Sequence, residues 1–171
     1  MARFVDLHRF RSVTLTHELQ SEFDLPGVIC ANPDGLPFVE GQVFYHWLID
    51  RNGCQEGTAK HYLKAALAFL TFLWSSTPAL VYTAPAEQIR NGIQRYLKDK
   101  LGCVLRPHPE GNLQVIAAQA ITRHSVRLYL VALKHFYECA VLQGWYADGN
   151  PLVWKQRLGP YKELSDGAAQ V

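Results

Sequence analysis

The chain has 171 residues, 49% of them hydrophobic, and a formal net charge of +2 at pH 7. This length suits one domain or a domain with a tail, and the apolar content excludes an intrinsically disordered chain. The most apolar run, YLKAALAFLTFLW at residues 62–74, contains a lysine and is too short to cross a bilayer. The first residues lack the apolar core of a signal peptide. The sequence therefore predicts a soluble cytoplasmic protein without membrane partners.

The charge is distributed unevenly along the chain. Residues 1–50 contain three Lys or Arg and seven Asp or Glu, a balance of −4, whereas residues 51–171 contain fourteen Lys or Arg and eight Asp or Glu, a balance of +6. A polyanionic partner of the second part is compatible with this pattern, although a mild basic bias is also common in proteins that bind no nucleic acid.

The cysteines and histidines do not predict a metal site. The four cysteines lie far apart in the sequence and form no C-x-x-C pair: Cys30, Cys54, Cys103 and Cys139. We expect reduced thiols rather than a zinc site or a disulfide framework. For His61, His124 and His135 the spacing supplies no third metal ligand. The sequence therefore predicts neither a metal nor a cofactor.

Residues 1–39 are predicted to form an extended N-terminal arm. SVTLTHE at residues 12–18 alternates like a short strand and is rich in β-branched residues, and NPDGLP at residues 32–37 has the composition of a turn. Because the arm is acidic, we do not expect it to bind DNA.

The first helix is predicted over residues 40–51. Val43, Phe44, Trp47 and Leu48 fall on one face of this segment, and an Asn-Gly pair follows it. These four side chains are therefore expected to face the core.

The second helix is predicted over residues 58–76, with Thr58 as its N-cap. Its apolar stripe recurs at helical spacing and consists of Tyr62, Leu63, Ala66, Leu67, Phe69, Leu70 and Leu73. Its polar stripe consists of Lys60, Lys64, Thr71 and Ser75. Both lysines are therefore expected to point the same way.

The third helix is predicted over residues 85–101, because Pro85 and Glu87 suit a first turn and Gly102 suits the end of a helix. The side chains expected to face inward are Ile89, Ile93, Tyr96 and Leu97. The cations at its C-terminal end, where the helix dipole favours them, are Arg95, Lys98 and Lys100. Residues 102–121, which include RPHPEG, are predicted as a long irregular connection.

The fourth helix is predicted over residues 122–144, with Gly144 at its end and a turn at Asn150-Pro151. Its buried stripe is predicted to consist of Val126, Leu130, Leu133, Tyr137, Ala140 and Val141. A basic stripe, opposed only by Glu138, consists of Arg123, Arg127 and Lys134, with His124 and His135 beside it. Together the four helices predict an all-α bundle over residues 40–155, followed by a linker at 156–171.

Two of these helices resemble the core-binding domain of tyrosine recombinases, the phage integrase family. T-x-x-x-Y-L-x-x-x-L-x-F-L-x-F-L at residues 58–73 is similar to the second helix of that domain. T-x-x-x-x-R-x-x-x-x-x-L-x-x-F-Y-x-x-A-x-x-x-G-W-x-x-x-x-N-P at residues 122–151 is similar to its last helix and exit. Each pattern occurs in many helices, and their order over residues 40–155 carries the resemblance. The long acidic arm and the 102–121 connection depart from the family's pattern.

The resemblance implies a SAM-like four-helix domain that covers one face of duplex DNA, with its second and fourth helices toward the major groove. In that family a linker leads to a separate catalytic domain, which contains the arginines, lysine, histidines and tyrosine nucleophile. No room remains for that domain after Pro151. The expectation is therefore the N-terminal piece of a site-specific recombinase or integrase of a mobile element, without catalytic residues. Its expected partners are a double-stranded recombination half-site and other recombinase protomers.

The residues predicted to contact DNA lie in the second and fourth helices: Thr58, Lys60, His61, Lys64, Thr122, Arg123, His124, Arg127 and Lys134. Guanidinium groups bind phosphate or guanine edges, and lysines bind phosphate. Hydroxyls at helix starts add contacts to the DNA backbone, where helix N–H groups also favour phosphate. The alternative is a solvated charged face without a ligand.

An H-x-x-R pattern at His124 to Arg127, and another at His8 to Arg11, raises the alternative of a catalytic motif. Seven histidines and ten arginines give about 0.4 such matches per chain by chance. Phosphoryl transfer needs several cations around one phosphate, and no second cluster of arginine and lysine precedes the fourth helix. A complete small enzyme with Tyr161 as nucleophile is therefore disfavoured.

A helical protein–protein interaction module is the main alternative to DNA binding. Trp145, Tyr146 and Trp154 follow the last helix, and exposed aromatic residues there would anchor a protein partner. Contacts between recombinase protomers would use such a surface as well, so the two functions overlap.

Overall fold

A computed structural model describes residues 9–15, 27–107, 113–116, 121–152 and 168–170. Within these ranges the protein is mostly helical, with four α-helices and two small antiparallel sheets, so it is not all-α. The elements in chain order are β1 (Arg11–Thr14), β2 (Val28–Ala31), α1 (Val39–Asp50), α2 (Glu56–Trp74), α3 (Ala86–Asp99), β3 (Val104–Pro107), β4 (Leu113–Ile116), α4 (Arg123–Leu142) and β5 (Ala168–Gln170). The chain forms two compact units, Met1–Tyr82 and Thr83–Val171. This division falls inside the predicted domain of residues 40–155, whose boundaries stay a prediction.

In the first unit the predicted arm is not extended where the structure describes it, because β1 and β2 pair as an antiparallel hairpin. The register runs from Arg11 opposite Ala31 to Thr14 opposite Val28. The predicted turn is confirmed, since Asn32 Oδ1 accepts hydrogen bonds from the backbone N–H groups two and four residues later, at 3.0 and 2.9 Å. The strand predicted within residues 12–18 is confirmed in part, since β1 covers Ser12 to Thr14, whereas β2 became recognisable only with its partner.

The hairpin packs on the helices of the first unit. The backbone N–H of Phe10 donates to Thr71 Oγ1 of α2 at 3.0 Å, and the rings of Phe10 and Phe38 lie 4.9 Å apart, edge to face. Val28 and Cys30 of β2 are buried, and burial raises the pKa of the Cys30 thiol to about 12. This part of the arm therefore belongs to the core.

The predicted apolar faces of α1 and α2 are largely confirmed. In α1 the buried residues are Gly41, Phe44, Tyr45 and Leu48, whereas Val43 and Trp47 are half-buried. In α2 the predicted stripe is buried apart from Tyr62, which is half-buried, and Ala59 and Ala65 join it. Tyr45 is buried and Val43 is not, so the buried face of α1 is rotated from the predicted one.

The prediction that Thr58 caps α2 is wrong. The helix begins at Glu56, with Gln55 at the N-cap, and the backbone N–H of Ala59 donates to Gln55 O at 2.9 Å. Glu56 suits the positive end of the helix dipole, which favours the earlier start. Thr58 therefore lies in the first turn of α2 and is exposed.

In the second unit α3 agrees with its prediction. Ile89, Ile93, Tyr96 and Leu97 are buried, and Gly102 follows the helix with a φ of 66°. Asp148 Oδ2 accepts a hydrogen bond from the backbone N–H of Ala86 at 2.7 Å and so caps the start of α3 from a distant part of the chain.

The prediction of an irregular connection at residues 102–121 is wrong where the structure describes it. β3 and β4 form an antiparallel hairpin, from Val104 opposite Ile116 to Pro107 opposite Leu113, and β5 adds a third strand along β4. Pro107 lies in β3, an edge strand of this sheet, where a missing N–H donor is tolerated. β5 also corrects the predicted linker at 156–171, whose residues 156–167 and 171 lie outside the described ones.

The buried face of α4 is rotated from the predicted one. Val126, Leu133, Tyr137 and Ala140 are buried as predicted, but Leu130 is half-buried and Val141 is 38% exposed. The additional buried residues are Ala132, Phe136 and Cys139. Val141 comes eighteen residues after Arg123, about five full turns, so both lie on the same exposed side.

The chain after α4 folds back on this helix. Asn150 Nδ2 donates to the backbone O of Lys134 at 2.8 Å, and Asn150 Oδ1 accepts from the backbone N–H of Leu152 at 3.0 Å, which confirms the predicted turn. Tyr146 is only 3% exposed, so its predicted exposure is wrong, and Trp154 lies outside the described residues. None of the four described helices is both long and apolar enough to cross a membrane.

Candidate nucleic-acid interface

The start of α4 is fixed by Thr122, the predicted first residue of this helix. Thr122 is the N-cap, and its Oγ1 accepts a hydrogen bond from the backbone N–H of Ser125 at 3.1 Å. The hydroxyls of Thr122 and Ser125 share a second hydrogen bond of 2.9 Å. Both hydroxyls are therefore engaged in holding the helix start.

Loss of this cap is expected to destabilise the protein. Thr122→Ala removes the acceptor of the Ser125 N–H, which should lower the free energy of unfolding by about 1 kcal/mol. Thr58→Ala is the matched control, because Thr58 caps nothing and alanine is the better helix former, so no loss is expected there. Urea denaturation followed by circular dichroism measures both, and equal effects of the two substitutions would contradict the capping role.

Two arginines stand exposed on the first two turns of α4. Arg123 and Arg127 are one helical turn apart and within about 40° of each other around the helix axis. His124 is exposed beside them, and the first turn contains no acidic residue. The positive end of a helix dipole disfavours cations, so helix stability does not account for this placement. By contrast, Lys98 lies in the last turn of α3 and Lys100 just after it, where the dipole stabilises cations.

Lys134 does not belong to this exposed basic end, although the sequence places it on the same stripe. Lys134 is half-buried, and the side chain of Asn150 donates a hydrogen bond to its backbone O. Glu138 follows one turn later and lies 3.3 Å from the Nδ1 of His135. A carboxylate next to the lysine lowers the local positive potential, so the basic surface of α4 is concentrated before residue 128.

The candidate residues of α2 lie around its first turns. Lys60 Nζ lies 3.3 Å from Glu56 Oε2, and the two side chains are 31% and 72% exposed. Surface pairs of this kind contribute about 0–1 kcal/mol, so Lys60 keeps most of its freedom to exchange partners. His61 and Lys64 are exposed on the same side of the helix. Farther along, Thr71 accepts the hydrogen bond from Phe10, so the hairpin limits this open side to the first half of α2.

The described part of the second unit is basic. It contains eight Lys or Arg and four Asp or Glu, a balance of +4. Arg106 of β3 is one of these cations and is exposed, although the sequence predicts an irregular segment there and no site residue. The sequence of β3, Val-Leu-Arg-Pro, does not alternate between apolar and polar residues and so gave no signal for a strand.

The catalytic alternative gains no support from the described residues. They include no group of three His, Cys, Asp or Glu side chains that could hold a metal ion. His124 and Arg127 are both exposed on the helix surface, and His8 and Tyr161 lie outside the described residues.

What the basic end of α4 can bind follows from its own chemistry. A guanidinium group donates paired hydrogen bonds to phosphate oxygens, and its charge persists at all physiological pH values. Two such groups one turn apart suit a chain of phosphates. No protein-family model matches this protein, and no curated protein or solved structure matches it.

Proposed function

We propose that this chain binds DNA and that Arg123 and Arg127 of α4 hold its phosphate backbone. The observation that carries this proposal is the pair of exposed arginines at the N-terminal end of a helix whose first turn contains no acidic residue. The helix dipole makes this position unfavourable for cations, and a bound polyanion offsets that cost.

The proposal extends to the core-binding domain of tyrosine recombinases, which the sequence resembles. Each of the four helices begins and ends within two residues of its predicted position, which supports the number and order of helices that the resemblance implies. In this proposal α2 and α4 face a recombination half-site, and a catalytic domain beyond these 171 residues performs strand exchange. Recombinase protomers bound to the same DNA are the further partners.

DNA binding is tested by fluorescence anisotropy of the 171-residue chain on a mixed-sequence duplex, at low and near-physiological salt. We expect salt-sensitive binding that Arg123→Gln/Arg127→Gln weakens by roughly tenfold, since two charge-assisted phosphate contacts are lost. Lys98→Gln/Lys100→Gln removes the same charge from an exposed site at the end of α3 and should bind as the wild type does.

Two outcomes would count against the proposal. Failure of the wild type to bind at low salt would exclude DNA as the ligand of this chain. An equal loss in both double variants would show that net charge, rather than the end of α4, governs the affinity. Circular dichroism of each variant verifies that the helices are intact.

A protein–protein interaction module is the second candidate function. Val141 and Leu142 at the end of α4 are 38% and 69% exposed, and Trp145 beside them is half-buried. Tyr146 is buried and does not serve as an anchor. A molecular mass that rises with concentration, in a chain without affinity for DNA, would support this function in place of the first.

A further inference from the structure

The exposure of α4 changes abruptly after its second turn. Arg123, His124 and Arg127 are exposed, whereas every residue from Leu128 to Ala140 is buried or half-buried. These thirteen residues correspond to about 20 Å of helix. The helix becomes exposed again only at Val141 and Leu142, which are apolar.

This enclosure limits how α4 can approach a duplex. A helix that lies along the major groove offers three or four side chains from successive turns to the base edges. Beyond Arg127, the residues of α4 are buried or half-buried for the next three and a half turns, and the Glu138 side chain, which is 45% exposed, carries a negative charge that phosphates repel. Its long axis therefore does not run along a groove with the middle of the helix in contact.

Two hydroxyls before Arg127 are already engaged within the helix start. The hydroxyls of Thr122 and Ser125 are hydrogen-bonded to each other, and Thr122 accepts a backbone N–H. The exposed side chains left at this end are Arg123, His124 and Arg127, and half or more of protein–DNA hydrogen bonds go to the sugar–phosphate backbone rather than to base edges.

Resting on the DNA binding proposed above, we infer that α4 meets duplex DNA with its first two turns only. Arg123 and Arg127 hold the sugar–phosphate backbone there, and α4 does not read the base sequence. Lys134, which the sequence places on the same stripe, lies outside the contact. Any sequence preference of the chain comes from other elements, for which the open first half of α2 is available.

The inference is tested with a panel of duplexes of equal length and different base sequence, again by fluorescence anisotropy. Arg123→Gln/Arg127→Gln should weaken binding by the same factor on every duplex and lower the salt slope by about 2. Lys134→Gln, which removes one charge from the same helix, should stay within about twofold of the wild type, because no phosphate contact is lost.

Three other results would each overturn a defined part of the proposals. A loss that differs by tenfold or more between duplexes, in the arginine double variant, would show that α4 reads bases. A loss in Lys134→Gln equal to that in the single variant Arg127→Gln would show that the contact extends along the helix. Absence of wild-type binding at low salt would overturn the proposed function and this inference together, whereas the first two results would leave DNA binding intact.

Discussion

Replacing Gly41 by alanine is expected to lower the free energy of unfolding by about 2 kcal/mol, although alanine favours helices over glycine by about 1 kcal/mol. Gly41 lies in α1, where a Cβ would come 2.8 Å from Phe38 Cδ1 and 3.0 Å from both Cβ and Sγ of Cys30. Phe38 and Cys30 are buried, and Cys30 is held in the β1–β2 hairpin. Neither can move without loosening the contact between hairpin and helix.

Gly57→Ala is the matched control for this substitution. Gly57 lies in the first turn of α2, and a Cβ there would meet nothing within 4 Å. The same chemical change should therefore raise stability by a few tenths of a kcal/mol to about 1 kcal/mol. Urea denaturation of both variants measures the change in the free energy of unfolding, which should be negative for Gly41→Ala and positive for Gly57→Ala. A stabilising Gly41→Ala would show that the hairpin packs more loosely on α1 than these distances indicate.

The helices were predictable because their apolar residues recur at helical spacing within each segment. α3 is the clearest case, since all four residues predicted to face inward are buried and the glycine after it has a positive φ. Local rules failed at the start of α2, where Thr58 was predicted as the N-cap but Gln55 occupies that position. They also failed for the buried face of α4, where Val141 was predicted to be buried but is exposed.

The two hairpins were not predictable in the same way. Their strands are four residues long, and each is stabilised by a partner that is distant in sequence, such as Cys30 opposite Ser12 or Val115 opposite Leu105. Four residues carry little periodicity, so the sequence indicated a short strand within residues 12–18 but gave neither its partner nor its register. Consequently the packing of the arm on Thr71 could not be inferred from composition.

The candidate site was predictable as a set of cations and only partly as a surface. Helical spacing gave the direction in which Arg123, Arg127 and Lys134 point. It did not give what covers the helix, because the residues that enclose the middle of α4 come from elsewhere in the chain. Lys134 is the example, since it is half-buried although its spacing places it on the same stripe as the exposed Arg123 and Arg127.

Tyr146→Phe is expected to stabilise the protein by between about 1 and 3 kcal/mol, because it removes a buried hydroxyl without a hydrogen bond. Tyr146 Oη is buried and has no hydrogen-bond partner among the described residues. The ring packs on Tyr137 with 5.0 Å between centroids, and phenylalanine keeps that contact. Burial raises the pKa of Tyr146 to about 12, with Asp148 adding to the rise, so the hydroxyl is neutral at pH 7.

Tyr82→Phe makes the same chemical change where the hydroxyl is paired. Tyr82 Oη donates to Glu40 Oε1 at 3.0 Å, so its loss should destabilise by between about 1.5 and 3 kcal/mol. Thermal and urea denaturation of the two variants should therefore shift in opposite directions. If Tyr146→Phe instead destabilises, the Tyr146 hydroxyl has a partner outside the described residues. The turn after α4 would then be held in part by that contact.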